Sequence, residues 1–187
     1  MTRKPRWSLA LLSVVLLAPE AAARGQAAGD MTVKRLLGDT LQIMVPSTFT
    51  QMSEAGRLRY ERSRRPTIAF TDKSGAVSIA ITQVEQGQLS DAQVETAHKN
   101  MIGTLREAFP SAQWHRNDRR EISGGHPAFL MDFDAPTTPT APAARYVILG
   151  SALGGKLLTI TLKCPPEQAA TWLPVWDTLV QSVTYVE

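Results

Sequence analysis

Cysteine is nearly absent from this chain of 187 residues. Cys164 stands alone, so no intramolecular disulfide can form and the fold must be held by its own core. No cysteine lies near the N-terminus either, which leaves nothing there to lipidate. A long hydrophobic run is also missing. The most apolar stretch, residues 7–18 (WSLALLSVVLLA), has 12 residues, whereas a helix needs roughly 20 to cross a bilayer. Catalytic signatures are absent in the same way: no H-x-H, H-E-x-x-H or G-x-S-x-G occurs.

What is present at the N-terminus has the order of an export leader. Arg3, Lys4 and Arg6 precede the apolar run, and Pro19 and the small residues Ala21, Ala22 and Ala23 follow it. The expectation is a signal peptide over 1–23, a flexible N-terminus over 24–30 and a single domain over 31–187, with cleavage after Ala28 as the alternative. The protein is then periplasmic or secreted, without a transmembrane anchor. Residues 1–23 carry three cations and one anion of a chain whose formal charge is +3, so their removal leaves +1, and losing Arg24 as well leaves zero. A nearly neutral protein has no electrostatic reason to bind nucleic acid.

The rest reads as alternating strands and two amphipathic helices. Residues 41–45 form a strand stopped by Pro46. Residues 67–72 and 76–84 form a hairpin, with Ile68 and Phe70 sharing one face of their strand, Val77, Ile79 and Ile81 sharing one face of theirs, and Asp72-Lys73-Ser74-Gly75 as the turn; the single bulky face means a sheet covered on that side. Ser90 and Gln93 make a capping box, with Leu89 positioned to staple onto Val94. The stripe Val94, Ala97, Met101, Ile102, Leu105, Phe109 then predicts a helix ended by Pro110. A polar strand over 112–122 and a Gly124-Gly125-His126-Pro127 turn lead to a strand in which Phe129, Met131 and Phe133 alternate with Ala128, Leu130 and Asp132. Residues 134–144 (DAPTTPTAPAA) read as an exposed, mobile connection. Residues 146–149 and 157–163 pair around Gly154-Gly155, with Leu158, Ile160 and Leu162 facing one way and Thr159, Thr161 and Lys163 the other. A last helix carries Trp172, Trp176 and Leu179. Pro174 either kinks it or sits in its first turn, and a start near Leu173 is the preferred reading. Residues 185–186 add a short final strand.

The strand LQIMVPSTF, the Gly-Gly-His-Pro-Ala turn and the helix end Leu179-Val180-Gln181-Ser182-Val183, taken in this order, resemble the Mog1/PsbP-like superfamily, most nearly its small exported bacterial DcrB-like members. That resemblance implies an α+β fold, an antiparallel β-sheet flanked by two main helices as an α/β/α sandwich. It also implies non-enzymatic roles as binding, chaperone or assembly factors. The export leader departs from the secretion-chaperone members of the superfamily.

Three groups of side chains are candidates for function. His98, His115 and His126 with Asp132 and Asp134 have the chemistry of metal ligands, but their spacing does not support a site, and no metal or cofactor is expected. Gly150-Ser151-Ala152-Leu153-Gly154 is a distant echo of a nucleophile elbow, better read as a hairpin loop. The stretch 57–65 (RLRYERSRR) surrounds Tyr60 with Arg57, Arg59, Arg62, Arg64 and Arg65, and Arg116, Arg119 and Arg120 form a second group. Guanidinium groups suit carboxylate or phosphate. Read as a loop or edge strand, the first segment serves to block aggregation. Should the two segments be neighbours, they would make one basic face for an acidic envelope or secreted protein partner or for anionic lipid headgroups. The sequence therefore predicts a non-enzymatic accessory factor, chaperone-like or immunity-like, that recognises a protein partner through 57–65 and the loop at 134–144. The alternative is a small-ligand or lipid carrier with a cleft between sheet and helix, lined by Met101, Phe129, Met131, Phe133, Trp172 and Trp176. Cys164, at the end of an apolar strand, is expected to be a small buried hydrophobe.

Overall fold

The computed structural model describes residues 29–60, 65–84, 88–136 and 141–186, without the side chains of Arg59 and Tyr60. The leader and its cleavage sites, together with Arg62 and Arg64, lie outside the described residues.

Two antiparallel sheets share one core. The first strands are β1 (Met31–Leu36), β2 (Leu41–Pro46) and β3 (Thr50–Gln51), followed by the short helix α1 (Glu54–Tyr60). Next come β4 (Ile68–Thr71), β5 (Ser78–Val84) and the long helix α2 (Val94–Ala108). The chain continues through β6 (Gln113–Ile122), β7 (His126–Pro136), β8 (Ala143–Leu153) and β9 (Lys156–Cys164), and ends with α3 (Ala169–Gln181) and β10 (Thr184–Tyr185). The larger sheet has the order β3-β4-β5-β9-β8-β7-β6, and the smaller one the order β1-β2-β10.

The central strands of the larger sheet are buried on both faces, and the alternation of their side chains divides the core. Leu130 of β7, Val147 and Leu149 of β8, and Leu158, Ile160 and Leu162 of β9 point to the face covered by β2 and α3. Phe129, Met131 and Phe133 of β7 with Tyr146 and Ile148 of β8 point to α2. The two main helices thus flank the sheet, as the superfamily resemblance implies. α2 starts where the capping box places it: the Ser90 backbone N–H donates to Gln93 Oε1 at 2.9 Å, and Leu89 and Val94 are buried together. The hairpin register also matches expectation, with Ile68 opposite Ile81 and Phe70 opposite Ile79.

Several sequence readings are corrected. The stretch 134–144 is strand at both ends: β7 runs to Pro136, β8 begins at Ala143, and Ala135 and Ala144 form a buried cross-strand pair, while 137–140 lie outside the described residues. Small side chains suit that pair, so the lack of bulk there does not signal a loop. The hairpin loop expected over 150–154 is the end of β8, and the turn is confined to Gly154 and Gly155, both at positive φ. Ser151 is buried within β8, where its hydroxyl donates to the Pro127 carbonyl at 2.7 Å. Helix α3 starts at Ala169 after a short turn over Pro166–Gln168, with Pro174 inside it. Pro174 and Ala170 are both exposed, so water can serve the carbonyl left without an N–H donor. Residues 54–60 are helical rather than loop or edge strand. The Ser53 hydroxyl accepts from the Gly56 N–H at 3.2 Å at the start of that helix. Strand β1 and the separate small sheet are additions that the sequence reading lacked.

Candidate functional site

The arginines come first, because the sequence pointed to them. Arg57 sits on α1 beside Leu58, one of the few large apolar side chains left exposed, at 54%. Arg65 is ion-paired to Glu54 of the same helix, and this bond, before any other cause, holds the Glu54 carboxyl below its ordinary range. α1 connects β3 to β4, at one edge of the larger sheet, whereas Arg116, Arg119 and Arg120 lie on β6 at the opposite edge. Among the described residues, Arg57 and Arg65 are therefore not neighbours of the β6 arginines and make no single basic face with them.

The second group is itself divided. A register shift between Trp114 and Arg116 sets the alternation of β6. Asn117 and Arg119 then face α2, while Arg116 reaches α3 on the other side. Arg119 pairs with Glu95 of α2, Arg116 lies 3.9 Å from Asp118 and 3.8 Å from Asp177, and Arg120 lies 3.8 Å from Asp118. Each guanidinium of β6 is answered by a carboxylate.

The histidines occupy three separate places. His98 is buried, stacks on Phe129 with ring centroids 4.5 Å apart, and has Nε2 2.6 Å from Asn117 Oδ1. His115 meets Asp134 at 2.8 Å, and His126 meets Asp91 at 3.3 Å. Among the described residues no three metal-ligating side chains gather. The two aspartates of the sequence proposal are engaged by a residue it did not single out. Arg145 donates from Nη2 to Asp132 at 2.9 Å, forms an ion pair with it, and lies 3.4 Å from Asp134. Asp-Phe-Asp on β7 facing Arg145 in the adjacent strand was the available signal. Cys164 is fully buried, and burial first of all pushes its thiol up to about 11, so it stays protonated at neutral pH.

The described surface does contain a groove, beside α2. Its floor is Phe133, Tyr146 and Ile148, and its helix wall is Met101, Thr104, Leu105 and Phe109. The far side is Thr82 and Val84 of β5 with Thr159 and Thr161 of β9, and the volume is about 340 Å³. The cause is a step in side-chain size across the sheet. β7 and β8 present large residues under α2, and β5 and β9 present Ala80, Thr82, Thr159 and Thr161 on the same face. Nothing bulky fills the space under that flank of the helix, and none of the lining residues is charged. Of the six side chains expected to line such a cleft, Met101 and Phe133 do so. Phe129 and Met131 are buried beneath α2, and Trp172 and Trp176 lie on the opposite face, with Trp172 edge-on to Phe49 at 5.3 Å.

Comparison with known proteins identifies the architecture. No protein-family model matches the sequence, and no curated protein matches it. Solved structures do match. Cyanobacterial PsbP from Synechocystis sp. PCC 6803 superposes with a TM-score of 0.61 at 13% identity, covering 87% of this chain and 96% of that one. A point variant of the protein Mog1 gives 0.56 at 13% identity over 84% and 97%. LpqN of Mycobacterium tuberculosis, described as involved in cell envelope biogenesis, gives 0.53 at 12% identity over 85% and 86%. The chain is an α+β protein with the Mog1/PsbP-like fold.

Proposed function

We propose that this chain is an exported, non-enzymatic accessory factor of the bacterial envelope, of the DcrB-like kind, and that the groove beside α2 is its binding site. The observation that carries the reading is the unfilled volume between α2 and β5–β9, built from apolar and threonine side chains. A Mog1/PsbP-like fold shared with an envelope-biogenesis protein supports the accessory role. No helix among the described residues is long and apolar enough to cross a membrane. The arginine segment is a second contact, for a protein partner. Leu58, exposed on α1 next to Arg57, sets an apolar side chain beside a cation there. Arg116, Arg119 and Arg120 serve, at most, a separate partner contact on β6.

The test begins with the protein expressed as the full chain and recovered from the envelope fraction. Its intact mass should correspond to a chain starting at Arg24 or Gly29. A hydrophobic dye should bind it and lose that binding when Thr161→Trp fills the groove. Intact precursor in the cytoplasm would overturn the export reading. Dye binding that survives Thr161→Trp would remove the groove from the account.

A further inference from the structure

The groove beside α2 carries no charge, yet it is not uniformly apolar. Its lining crosses four strands, with hydroxyls at one side and aromatic rings at the other. On β5 and β9 it presents Thr82, Thr159 and Thr161, and Thr82 stands directly opposite Thr159 in the register. On β8 and β7, and on α2 above them, it presents Tyr146, Phe133 and Phe109. These rings form one group. The Phe133 and Tyr146 centroids are 5.4 Å apart at an interplanar angle of 19°, and Phe109 lies 6.2 Å from Phe133 and 6.3 Å from Tyr146.

The hydroxyls are the part that the fold does not use. Thr104, on the helix wall, donates to the Asn100 carbonyl at 3.1 Å and is satisfied there. Thr82, Thr159 and Thr161 have no hydrogen-bond partner among the described residues, although Thr159 is only 9% exposed. A buried hydroxyl without a partner is costly, and valine, of the same shape, suits a strand at least as well.

Resting on the groove as the binding site, we infer that its ligand is an uncharged aromatic molecule bearing a hydroxyl or carbonyl group. Its rings lie against Tyr146, Phe133 and Phe109, and its polar group meets the threonines, so the molecule lies across the strands. From β9 to β7 is two strand steps, roughly 10 Å at about 4.8 Å each, a span that suits a fused pair of rings. The volume, about 340 Å³, is at the small end of the roughly 300–1,000 Å³ usual for ligand pockets, which suits a body of that size. No lining residue could answer an ionised group, and a charge taken out of water needs a partner.

The experiment displaces phenylnaphthylamine, an uncharged fluorescent dye, from the purified protein with three ligands of one shape: naphthol, methylnaphthalene and naphthoate, all substituted at the same ring carbon. Naphthol, which as a phenol is uncharged at neutral pH, should displace the dye about five-fold more strongly than methylnaphthalene, the effect of one hydrogen bond. Naphthoate should be the weakest of the three. A variant carrying Thr82→Val, Thr159→Val and Thr161→Val keeps the shape of the groove; it should bind methylnaphthalene as the parent does and lose the preference for naphthol. Equal displacement by naphthol and methylnaphthalene, naphthoate as strong as naphthol, or a preference that survives in the valine variant would overturn this inference. Dye binding abolished by Thr161→Trp would in each of those cases keep the groove as a binding site. A parent protein that does not bind the dye, or dye binding that survives Thr161→Trp, would overturn the groove reading and this inference with it.

Discussion

Gly150→Ala is the substitution that most directly tests how α2 is held over the sheet. A Cβ at Gly150 would lie 2.0 Å from Cζ of Phe129, 2.4 Å from Cε2 and 2.6 Å from Cε1. Real carbon contacts do not come that close, so the ring would have to move. It has nowhere to go: Phe129 is 1% exposed, and its other face is stacked on the His98 ring at 4.5 Å with an interplanar angle of 8°. His98 is fixed in turn by Asn117 on β6. A single added methyl therefore pushes on α2 itself. Overpacking typically costs 1–3 kcal/mol, and with both faces of the ring blocked the upper end applies, about 3 kcal/mol. For a domain of this size that lowers the melting temperature by roughly 6–12 °C. Urea denaturation followed by circular dichroism measures it. Phe129→Leu, which removes the obstructing ring, should make the added methyl far less costly, giving a non-additive double-mutant cycle. A Gly150→Ala protein within about 0.5 kcal/mol of the parent would refute the Gly150–Phe129–His98 stack as the contact that seats the helix.

Further expectations concern the polar groups. Asp132→Asn leaves the largely buried Arg145 guanidinium without its main counter-charge, and breaking such a pair typically costs about 3–5 kcal/mol; a denaturation midpoint unchanged from the parent would argue against it. Asp72 is pushed up by burial, but hydrogen bonds from the Ser74 hydroxyl and from the Val77, Ser74 and Gly75 N–H groups outweigh this and hold its carboxyl below the usual value. A lowered folded-state value means that the turn contributes stability above the unfolded pKa, near 3.9, and loses it as pH falls through the folded value. Asp72→Asn should therefore cost about 1 kcal/mol at neutral pH, and the gap should close as acid is added; a gap independent of pH would contradict the assignment. Cys164, held protonated by burial, should resist a thiol reagent in the native protein at pH 8 and react stoichiometrically after unfolding. Rapid reaction without unfolding would place the thiol at the surface.

The parts of the fold that were legible in the sequence are those with strong periodicity and local signals. The α2 stripe with its capping box, the 68–84 hairpin and the two-sided alternation of 128–133 and 157–163 all follow from side-chain spacing. The size step that opens the groove was written there as well, in Thr159 and Thr161 opposite Leu158 and Ile160. What failed was inference from composition. Ala135 and Ala144 looked like linker residues because they are small, yet a tightly paired strand end needs small residues. Pro174 looked like a helix boundary, yet an exposed position lets water replace the lost donor. The small sheet escaped notice because no residue of β1 is buried and its pairing partner β2 is joined to it through Leu37, Gly38 and Asp39, all at positive φ. Leu37 is not a residue type that announces such a turn. Sheet order was the other missing fact, since no local pattern says that β3 and β6 lie at opposite edges.

That order decides how the arginines act. From β3 to β6 the larger sheet takes six steps, which at about 4.8 Å each come to roughly 29 Å. The screening length at physiological salt is about 8 Å, so the charge on α1 and the charge on β6 do not add at either place. Within β6, carboxylates on α2, on α3 and on the strand itself shorten the reach of each guanidinium further. A long edge strand with charged side chains and local counter-ions is well built to stay unpaired with other chains, and that accounts for Arg116, Arg119 and Arg120 without a ligand. The groove has no comparable explanation in stability alone: larger residues at Thr82 and Thr161 would fill it and bury more apolar area, at about 25 cal/mol for each Å². A sequence that leaves such space open beneath an otherwise well-stapled helix gives up stability there, and binding is the physical use to which an open, uncharged groove can be put.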